Sequence, residues 1–319
     1  MNDIYFSVII PLYNKQNAIA KTLQSIVLQT YENYEIIVID DGSTDGSFAM
    51  VKQFFNANLN VESRIIYKEN GGVCSARNVG VKEAKYNYIA LLDADDLWER
   101  NYLEEQVKLI NDFPEAKMWG VNYAETYFGE IAREVPTGLP KSYRGYVDDY
   151  FQMKGRVSDL FHSSAVVIKK EIFEQVGYFD ERIKYAEDND MWFRIIATNK
   201  VAFYDKYLVK YVQDAENRAM NHQRELKYFL PFYVDKYRDE IFKSNTIFYR
   251  WINCWCAIHL RKYFFEEIKG QREDAIVAVK KLDYTVIPKK YKYLYRLPYL
   301  FACLLNKFDI FYHKLCSSL

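Results

Sequence analysis

The feature that most constrains this chain is an alternation, within its first hundred residues, of short β-branched segments and amphipathic helical patterns. Four apolar segments are predicted to be strands: residues 6–12, 34–40, 64–68 and 88–92. Their continuous apolar character indicates burial on both faces of a sheet. Between them, apolar residues recur at helical spacing, as at Ile19, Leu23 and Ile26. Strands that alternate with crossover helices form a doubly wound, mostly parallel sheet, so the predicted fold class is α/β.

The rest of the chain carries weaker patterns. The sequence predicts a helix over residues 97–112, a strand over 117–123, a strand over 165–168, a helix starting at Lys170 and a helix over 188–198. Residues 129–154 lack periodicity and are expected to form active-site loops. From about residue 223 the pattern is helical, with basic and aromatic faces. We therefore expect a catalytic domain over residues 1–225 and a helical C-terminal region over 226–319.

Composition narrows the functional classes. The chain has 319 residues, and its 43 basic and 43 acidic residues cancel, which argues against nucleic acid as the main partner. Five cysteines without paired CxxC spacing indicate neither a disulfide framework nor a zinc site, so a reducing, cytoplasmic compartment is expected. The acidic start, without a basic stretch before a long apolar run, is not expected to be a signal peptide, and because no apolar run reaches about 20 residues, no bilayer-spanning helix is expected.

Polar and charged residues follow each predicted strand. In chain order they are Pro11, Tyr13 and Asn14; Asp40 and Asp41; Gly71 and Gly72, with Arg77 one turn later; and Asp93, Ala94, Asp95 and Asp96. Ligands of open parallel sheets bind outside the carboxyl ends of the strands, so these residues are expected to meet in one crevice. An aromatic ring, a glycine turn with an arginine, and clustered acids suit a nucleoside diphosphate together with a divalent metal.

The acidic cluster is the most specific of these signals. Three carboxylates within residues 93–96 repel one another unless a cation is present, and hard oxygen ligands favour Mg²⁺ or Mn²⁺. The alternative is that Asp96 caps a helix starting at Leu97, with the other two acids solvated at its positive end. Because a cap needs only one acid, the pattern favours a metal site.

The other segments have ordinary explanations as well. A strand end, a glycine turn and a helix cap at Asp45 account for much of residues 40–45, but they leave Asp40 and Asp41 without a structural task. A contact to the base or ribose is therefore predicted for these two acids. A glycine pair alone is weak evidence for a phosphate site. With Arg77 nearby, the pair predicts a site that holds a diphosphate. Tyr13 could equally be a packed aromatic ring.

The motifs also occur in a familiar order. SVIIPLYNK (7–15), DDGSTD (40–45), NGGVCSARNVG (70–80) and LLDADD (91–96) closely resemble the motifs of glycosyltransferase family two, which has the GT-A fold. VGYFDE (176–181) and YAEDNDMWFRI (185–195) look like the later landmarks of that family. The resemblance covers about residues 4–222. It implies transfer of a sugar from a nucleotide-sugar donor.

The resemblance implies roles for individual donor-site residues. The donor-binding residues would be Pro11, Tyr13, Asn14, Asp41, Arg77, Asp93 and Ala94. Asp41 and Arg77 would contact the uracil or its surroundings. In the DxD motif, Asp95 would ligate a Mn²⁺ or Mg²⁺ ion that bridges the diphosphate oxygens. Asp93 would reach the ribose or the hydration shell of that metal.

The family generally inverts the anomeric centre, which implies a single general base near the acceptor hydroxyl. The resemblance points to Asp188 as this base, with Glu187 as the second candidate. The alternative is that Asp188 caps the helix that runs to Thr198. Members often carry a histidine or arginine that touches the diphosphate near the end of the domain. The candidates here are Gln213, Arg218 and His222, whereas His162 is expected to be a packed or loop histidine.

These implications favour an inverting hexosyl- or N-acetylhexosaminyl-type transferase that uses a UDP-sugar. The acceptor would be a glycan or a lipid-linked saccharide, in synthesis of a surface polysaccharide such as O-antigen or capsule. One alternative is a non-catalytic protein that binds nucleotide sugars. Another is a metal-dependent nucleotidyltransferase, which is disfavoured because PLYNKQN (11–17) is not the glycine-rich loop expected there. A nicotinamide oxidoreductase would need GxGxxG at the same place.

The C-terminal segment leaves three interpretations open. Residues 289–319 contain six Lys or Arg and one Asp, interleaved with aromatic residues. Such a segment can lie peripherally on an anionic membrane surface at the cytoplasmic face. It can equally be a packed helical subdomain whose basic residues snorkel, or a surface that forms a homodimer.

Overall fold

The computed structural model describes residues 4–153, 160–216, 225–265, 268 and 270–297. The chain divides into two compact units, Met1–Gln223 and Arg224–Leu319. The first unit is an α/β domain and the second is helical, and each is described by itself.

One mixed sheet forms the first unit. Its ten strands among the described residues are β1 (Phe6–Leu12), β2 (Tyr34–Asp40), β3 (Ser63–Tyr67), β4 (Tyr88–Leu91), β5 (Leu97–Trp98), β6 (Met118–Tyr127), β7 (Glu130–Glu134), β8 (Arg144–Tyr146), β9 (Val166–Lys169) and β10 (Val201–Val212). The spatial order is β3-β2-β1-β4-β9-β6-β10-β5, with β7 paired to β6 and β8 paired to β10.

The sheet is parallel where the candidate site lies. Strands β3, β2, β1 and β4 are parallel neighbours, and β6 and β10 also run parallel to each other. Strand β9 is antiparallel to both β4 and β6, so it joins the two parallel sets. The carboxyl ends of β1, β2, β3 and β4 therefore lie at one edge, which is where the topology rule expects a ligand. The predicted α/β fold with a mostly parallel sheet is confirmed.

Six helices accompany the strands in the described part of the first unit: α1 (Ile19–Val27), α2 (Ser47–Ala57), α3 (Val73–Glu83), α4 (Tyr102–Asp112), α5 (Glu171–Val176) and α6 (Glu187–Thr198). Helix α3 lies very close to the sheet. A Cβ atom on Gly80 would come within 2.3 Å of Cγ2 of Ile9, so glycine is required at this crossing. This close approach fixes the position of Arg77, which lies one turn earlier on the same helix.

Burial follows the predicted pattern only in the interior strands. All seven residues of β1 are buried, as the apolar run predicted. Strand β3 was expected to be buried on both faces, but its residues are half-buried and Tyr67 is 60% exposed. The expectation was wrong because β3 is an edge strand of the sheet.

Two other expectations need correction, and one strand was missed. The helix predicted over residues 97–112 begins only at Tyr102, because Leu97 and Trp98 pair with β10 and the Trp98 ring stacks on Tyr102 at 4.1 Å. The region 129–154 is not made of loops alone, since it includes β7 and β8. Strand β10 was not predicted at all. Its alternation is broken by register shifts between Tyr204 and Val209, which hide the two-residue period.

The second unit is helical, as expected. Its α-helices among the described residues are α7 (Glu240–Lys243), α8 (Thr246–Phe264), α9 (Arg272–Lys280) and α10 (Lys289–Arg296), and 3₁₀ turns cover Leu226–Tyr228 and Leu230–Arg238. Asn245 caps α8 by accepting the N–H of Phe248 at 3.0 Å. The Tyr295 hydroxyl donates to the carbonyl of Ala257, which ties α10 to α8. Within the described residues, no helix is long and apolar enough to cross a membrane.

Candidate active site

The loops that follow β1 and β2 are joined by side-chain hydrogen bonds. Asn14 has a φ of +51°, a left-handed conformation that asparagine tolerates, and its Oδ1 accepts the N–H of Thr44 at 2.8 Å. The N–H of Asn14 donates to Oγ of Ser43 at 3.0 Å. Pro11 is buried within β1, whereas the Tyr13 ring is 41% exposed. Asn14 therefore shapes the loop that presents Tyr13 at this edge of the sheet.

The two acids after β2 have structural tasks that the sequence did not reveal. Oδ1 of Asp40 accepts the N–H of Ser43 at 2.8 Å. Asp41 accepts the N–H of Gly71 at 2.9 Å on Oδ1 and the N–H of Gly72 at 2.7 Å on Oδ2. The expectation that both acids lack such a task was wrong, because the glycine turn offers N–H donors that only folding brings to Asp41. The buried Oδ2 of Asp40 has no hydrogen-bond partner among the described residues.

Arg77 connects the ends of three elements. Its side chain is only 3% exposed, and its guanidinium contacts Oδ1 of Asp93 at 2.8 Å and Oε1 of Glu187 at 3.2 Å. Burial alone would raise the pKa of Asp93, but the positive charges of Arg77 and His162 outweigh it and hold that pKa below its usual range. Arg77 therefore links Asp93, a predicted metal ligand, to Glu187, a candidate base.

The carboxylate of Asp95 is paired with a lysine. Oδ2 of Asp95 lies 2.6 Å from Nζ of Lys15, and both side chains are largely buried. The same ammonium donates to the carbonyl of Glu216. Burial raises the pKa of Asp95, and the nearby charge of Asp93 raises it further, although Lys15 opposes both. Asp95 is thus a desolvated acid that is stabilised by a cation.

Asp96 does not have the helix-capping role that was its alternative in the sequence analysis. It is fully buried, with Oδ2 accepting the hydroxyl of Ser164 at 2.5 Å and Oδ1 accepting the N–H of Val212 at 3.1 Å. Burial and the charges of Asp95 and Asp93 raise its pKa well above the usual range. Asp96 therefore caps no helix, because none begins at Leu97, and it ties the loop after β4 to the end of β10.

Ser164 was missed by the sequence analysis. Besides donating to Asp96, its Oγ accepts the N–H of Asp93 at 3.1 Å. It lies in a short 3₁₀ turn directly before β9, and a serine at the start of a strand carries no sequence signal for this role. The role depends on a contact that spans about seventy residues of chain.

The residues fit a divalent cation that is held jointly with a diphosphate. No cluster of three or more Asp, Glu, His or Cys side chains suited to a metal occurs in the described part of the chain. Magnesium is usually bound by one or two carboxylates together with substrate phosphates and water, so such a cage is not required. Asp95 already holds an ammonium at 2.6 Å, and Asp93 is near enough to raise its pKa. Their carboxylates provide the hard oxygen ligands that Mg²⁺ and Mn²⁺ prefer.

The candidate bases begin helix α6. Ala186 is the N-cap residue, with a φ of +59° and no side-chain cap, so the alternative role of Asp188 as a helix cap is excluded. Asp188 accepts the N–H of Asn189 at 2.7 Å on Oδ1. Burial and the adjacent charge of Asp188 raise the pKa of Glu187 to about 7, against the opposing charge of Arg77.

His162 and Gln213 lie in the described part of the first unit, and the contacts of both are structural. His162 lies between the rings of Tyr123 and Tyr211, at centroid distances of 4.7 and 4.5 Å, and burial lowers its pKa. The N–H of Gln213 donates to the carbonyl of Thr126 at 2.9 Å. Arg218 and His222 lie outside the described residues.

Comparison with known proteins shows the family. The model of "Glycosyl transferase family 2" matches residues 7–177. The uncharacterized glycosyltransferase RT0329 of Rickettsia typhi is 32% identical over 227 residues, which cover 69% of this chain and 68% of that protein. The chain therefore belongs to glycosyl transferase family 2, as the motifs indicated.

Two further proteins are similar to this chain, one over a shorter segment and one at a lower sequence identity. The Escherichia coli UDP-Glc:alpha-D-GlcNAc-diphosphoundecaprenol beta-1,3-glucosyltransferase WfgD is 36% identical over 110 residues, covering 34% of this chain and 42% of that enzyme. A crystal structure of Staphylococcus aureus TarS 1-349 in complex with UDP-GlcNAc matches with a TM-score of 0.68 and 20% identity, over 92% of this chain and 86% of that one. In a longer TarS structure the chain spans 52% of the length. The TarS likeness shows the fold alone.

The raised pKa of Glu187 predicts a pH-dependent stability difference. Its folded-state pKa of about 7 exceeds the usual 4.5, so the contribution of this group to stability is fully present below pH 4.5 and is lost as the pH rises through about 7. Glu187→Gln cannot ionise. Whatever its value at pH 5, the unfolding free energy of the variant minus that of the wild type should rise by up to about 3 kcal/mol between pH 5 and pH 8, at about 1.4 kcal/mol per pKa unit.

Urea unfolding at the two pH values would measure this difference. Glu69→Gln, at an exposed position, is the control and is expected to follow the wild type. A stability difference, variant minus wild type, that falls as the pH rises would contradict the assignment.

Proposed function

We propose that this chain is an inverting glycosyltransferase that moves a hexosyl or N-acetylhexosaminyl group from a UDP-sugar to a hydroxyl of a glycan or lipid-linked acceptor. The process would be the assembly of a surface polysaccharide such as O-antigen or capsule. The observation that carries the proposal is the bridge from Arg77 to Asp93 and Glu187. This bridge supports a single site in which a proposed metal ligand, Asp93, and a candidate base, Glu187, would act together.

Several features support a UDP-sugar as the donor. Tyr13 presents a partly exposed ring and directly follows Leu12, whose carbonyl accepts the N–H of Asp41 at 2.8 Å. Asp41 in turn holds the turn at Gly71 and Gly72. Among the relatives, WfgD is named for a UDP-glucose donor, and TarS has been crystallised with UDP-GlcNAc. A uracil-binding role for Asp41 would have to be shared with these backbone hydrogen bonds.

The proposed metal site uses Asp95 and Asp93. A bound Mn²⁺ or Mg²⁺ would neutralise charge that develops on the departing diphosphate. Arg77 holds Asp93 ionised, which keeps one hard oxygen ligand available at neutral pH. Lys15 compensates the charge of Asp95 while no other cation is bound there.

Inversion requires attack from the face opposite the leaving group. The acceptor oxygen forms a bond to the anomeric carbon while the bond from that carbon to the diphosphate oxygen breaks, and its electron pair leaves with UDP. Asp188 takes the proton of the acceptor hydroxyl. We assign this role to Asp188 because Glu187 is already engaged by Arg77 at 3.2 Å. Glu187 remains the second candidate.

Nucleotide binding tests the donor and the metal together. Calorimetric titrations with UDP, GDP and CDP, with and without Mn²⁺, are expected to show tight binding of UDP that requires the metal. Asp95→Asn should weaken that binding about tenfold or more, because losing one charged metal ligand costs at least about 1.4 kcal/mol. Asp112→Asn, at the exposed end of α4, is the control and should bind as the wild type does. Absence of nucleotide binding in the wild type would refute the proposal.

Turnover distinguishes an enzyme from a non-catalytic binding protein. Release of UDP from UDP-sugars is expected for the wild type and should fall about 10²- to 10⁴-fold in Asp188→Asn, the usual contribution of a general base. UDP affinity should stay unchanged in this variant. If Glu187→Gln loses more activity than Asp188→Asn, the two roles are exchanged, and if the wild type releases no UDP, the binding-protein alternative is preferred.

Peripheral membrane binding through the C-terminal region is part of the proposal. In α10, Tyr291 and Tyr295 are buried, whereas Lys289 and Lys290 are exposed and Tyr293 is 63% exposed. One face of this helix therefore packs within the second unit and the other presents basic and aromatic groups to solvent. A diphosphoundecaprenol acceptor, as in the name of WfgD, would lie in a membrane.

Charge reversal tests this surface without removing the packed tyrosines. Lys289, Lys290 and Lys292 changed together to Glu should weaken co-sedimentation with vesicles rich in phosphatidylglycerol by about 100-fold, at about 1 kcal/mol per basic residue. The control reverses three exposed lysines of the first unit, Lys52, Lys82 and Lys141. Equal vesicle binding by the two triple variants would argue against the membrane role of α10.

A further inference from the structure

A short turn before β9 brings one histidine to the same edge of the sheet as the candidate active site. Strand β9 runs antiparallel to β4, so the start of β9 lies beside the carboxyl end of β4, shortly before Asp93. His162 is the N-cap residue of the 3₁₀ turn at this start. Two residues later, Oγ of Ser164 accepts the N–H of Asp93 at 3.1 Å. The fold therefore holds His162 next to a proposed metal ligand.

The two ring nitrogens of His162 differ in their contacts. Nδ1 accepts the N–H of Ser164 at 3.2 Å, so the hydrogen of the neutral ring is on Nε2. Nε2 has no hydrogen-bond partner among the described residues, yet it is not one of their fully buried polar atoms that lack a partner. The side chain as a whole is 15% exposed. Nε2–H is therefore a donor that reaches open space and that the fold does not use.

The direction of this N–H is fixed by packing. The imidazole lies between the rings of Tyr123 and Tyr211, at centroid distances of 4.7 and 4.5 Å. A phenylalanine would pack between the same two rings, and an asparagine would cap the same turn, so neither task alone requires histidine. Histidine performs both tasks and also presents one N–H in a fixed direction.

The charges around His162 place it between the two ends of the proposed reaction. Burial lowers the pKa of His162 against the opposing charges of Asp93 and Asp188, so both carboxylates lie near the ring. Asp95, which would hold the metal and the diphosphate, has a weaker effect on the same pKa. The guanidinium of Arg77 joins Asp93 to the start of α6. The ring is therefore displaced from the diphosphate end toward the candidate base.

The donor sugar is the group that occupies this position during transfer. Its anomeric carbon has to lie between the leaving diphosphate oxygen and the acceptor hydroxyl that the base approaches. The nearby carboxylates disfavour an anion as the partner of Nε2–H. A hydroxyl or acetamido oxygen is neutral and accepts such a hydrogen bond. The sugar therefore fits the unused N–H in both position and charge.

We propose that Nε2–H of His162 donates a hydrogen bond to a hydroxyl or acetamido oxygen of the transferred sugar and thereby helps to select that sugar. The inference rests on the proposed function, since it takes the diphosphate to lie at Asp95 and the base to be Asp188. A site that hydrogen-bonds one sugar oxygen discriminates against sugars that lack it. His162 is thus a specificity-determining residue that does not contact the nucleotide.

Binding of UDP-sugars to two His162 variants tests the proposal. The probes are UDP, UDP-glucose, UDP-galactose, UDP-GlcNAc and UDP-GalNAc, titrated calorimetrically with Mn²⁺ and without an acceptor. Asparagine can accept the N–H of Ser164 as Nδ1 does, but it has no donor at the position of Nε2. His162→Asn should therefore weaken the tightest UDP-sugar about fivefold and leave the affinity for UDP unchanged. His162→Gln, whose amide nitrogen can reach the position of Nε2, should bind that UDP-sugar more tightly than His162→Asn does.

Deoxy analogues of the tightest UDP-sugar identify the contact. Each analogue lacks one hydroxyl or the acetamido group. One of them should bind the wild type about fivefold more weakly than the parent does, yet bind His162→Asn as well as the parent does, because that contact is already lost in the variant. His259→Asn removes a histidine ring that packs on Trp255 in the second unit, and this matched control should bind every probe as the wild type does.

Five results would overturn the inference while UDP binding is intact: none of the four UDP-sugars binds, His162→Asn binds them as the wild type does, it weakens UDP as much as the UDP-sugar, His162→Gln binds no better than His162→Asn, or every deoxy analogue keeps its full penalty in His162→Asn. Absence of UDP binding in the wild type would instead refute the proposed function.

Discussion

The buried guanidinium of Arg77 is the interaction on which the rest of the site depends. A buried arginine is tolerated only when opposite charges compensate it, and here Asp93 and Glu187 do so. Removing one partner of such a pair typically costs about 3–5 kcal/mol, because a charge is left buried and uncompensated. The tight contact of Gly80 with Ile9 holds α3 at the distance that allows both contacts. The end of β4 and the start of α6 are therefore fixed by the contacts that also stabilise the domain.

Charge compensation extends to the second metal acid. Asp95 is paired with Lys15, and the same ammonium donates to the carbonyl of Glu216. The carboxylate of Glu216 in turn accepts the side-chain amide of Asn17 at 2.6 Å. A divalent ion bound at Asp95, as proposed, would compete with an ammonium already in contact, so its binding would be coupled to the segment around Glu216. The carboxylates of this site are stabilised by groups of the protein before any ligand binds.

Local pattern predicted the parts of the fold that burial alone determines. Strands β1 and β2 were found with their bounds because both of their faces are covered and the sequence is continuously apolar. The start of α4 was missed because the pairing of Trp98 with Val209 joins residues more than a hundred positions apart. Ser164, Lys15 and the tasks of Asp41 were missed for the same reason, since their partners are brought together only by the sheet. The rule that ligands bind at strand carboxyl ends predicts the position of the crevice without these contacts.

Backbone conformation carries information about the site that neither composition nor periodicity contains. Among the described residues other than glycine, φ is positive at Asn14, Phe128, Ser142 and Ala186. Asn14 lies next to the ring of Tyr13, Ala186 directly precedes Glu187, and Phe128 lines a cavity together with Asp95. Local rules are commonly violated where function requires a particular direction of a side chain, with the cost borne by the surrounding fold. Asparagine accepts this conformation readily, but alanine and phenylalanine do not, so the geometry at Ala186 and Phe128 has to be imposed by helix α6 and by the turn between β6 and β7.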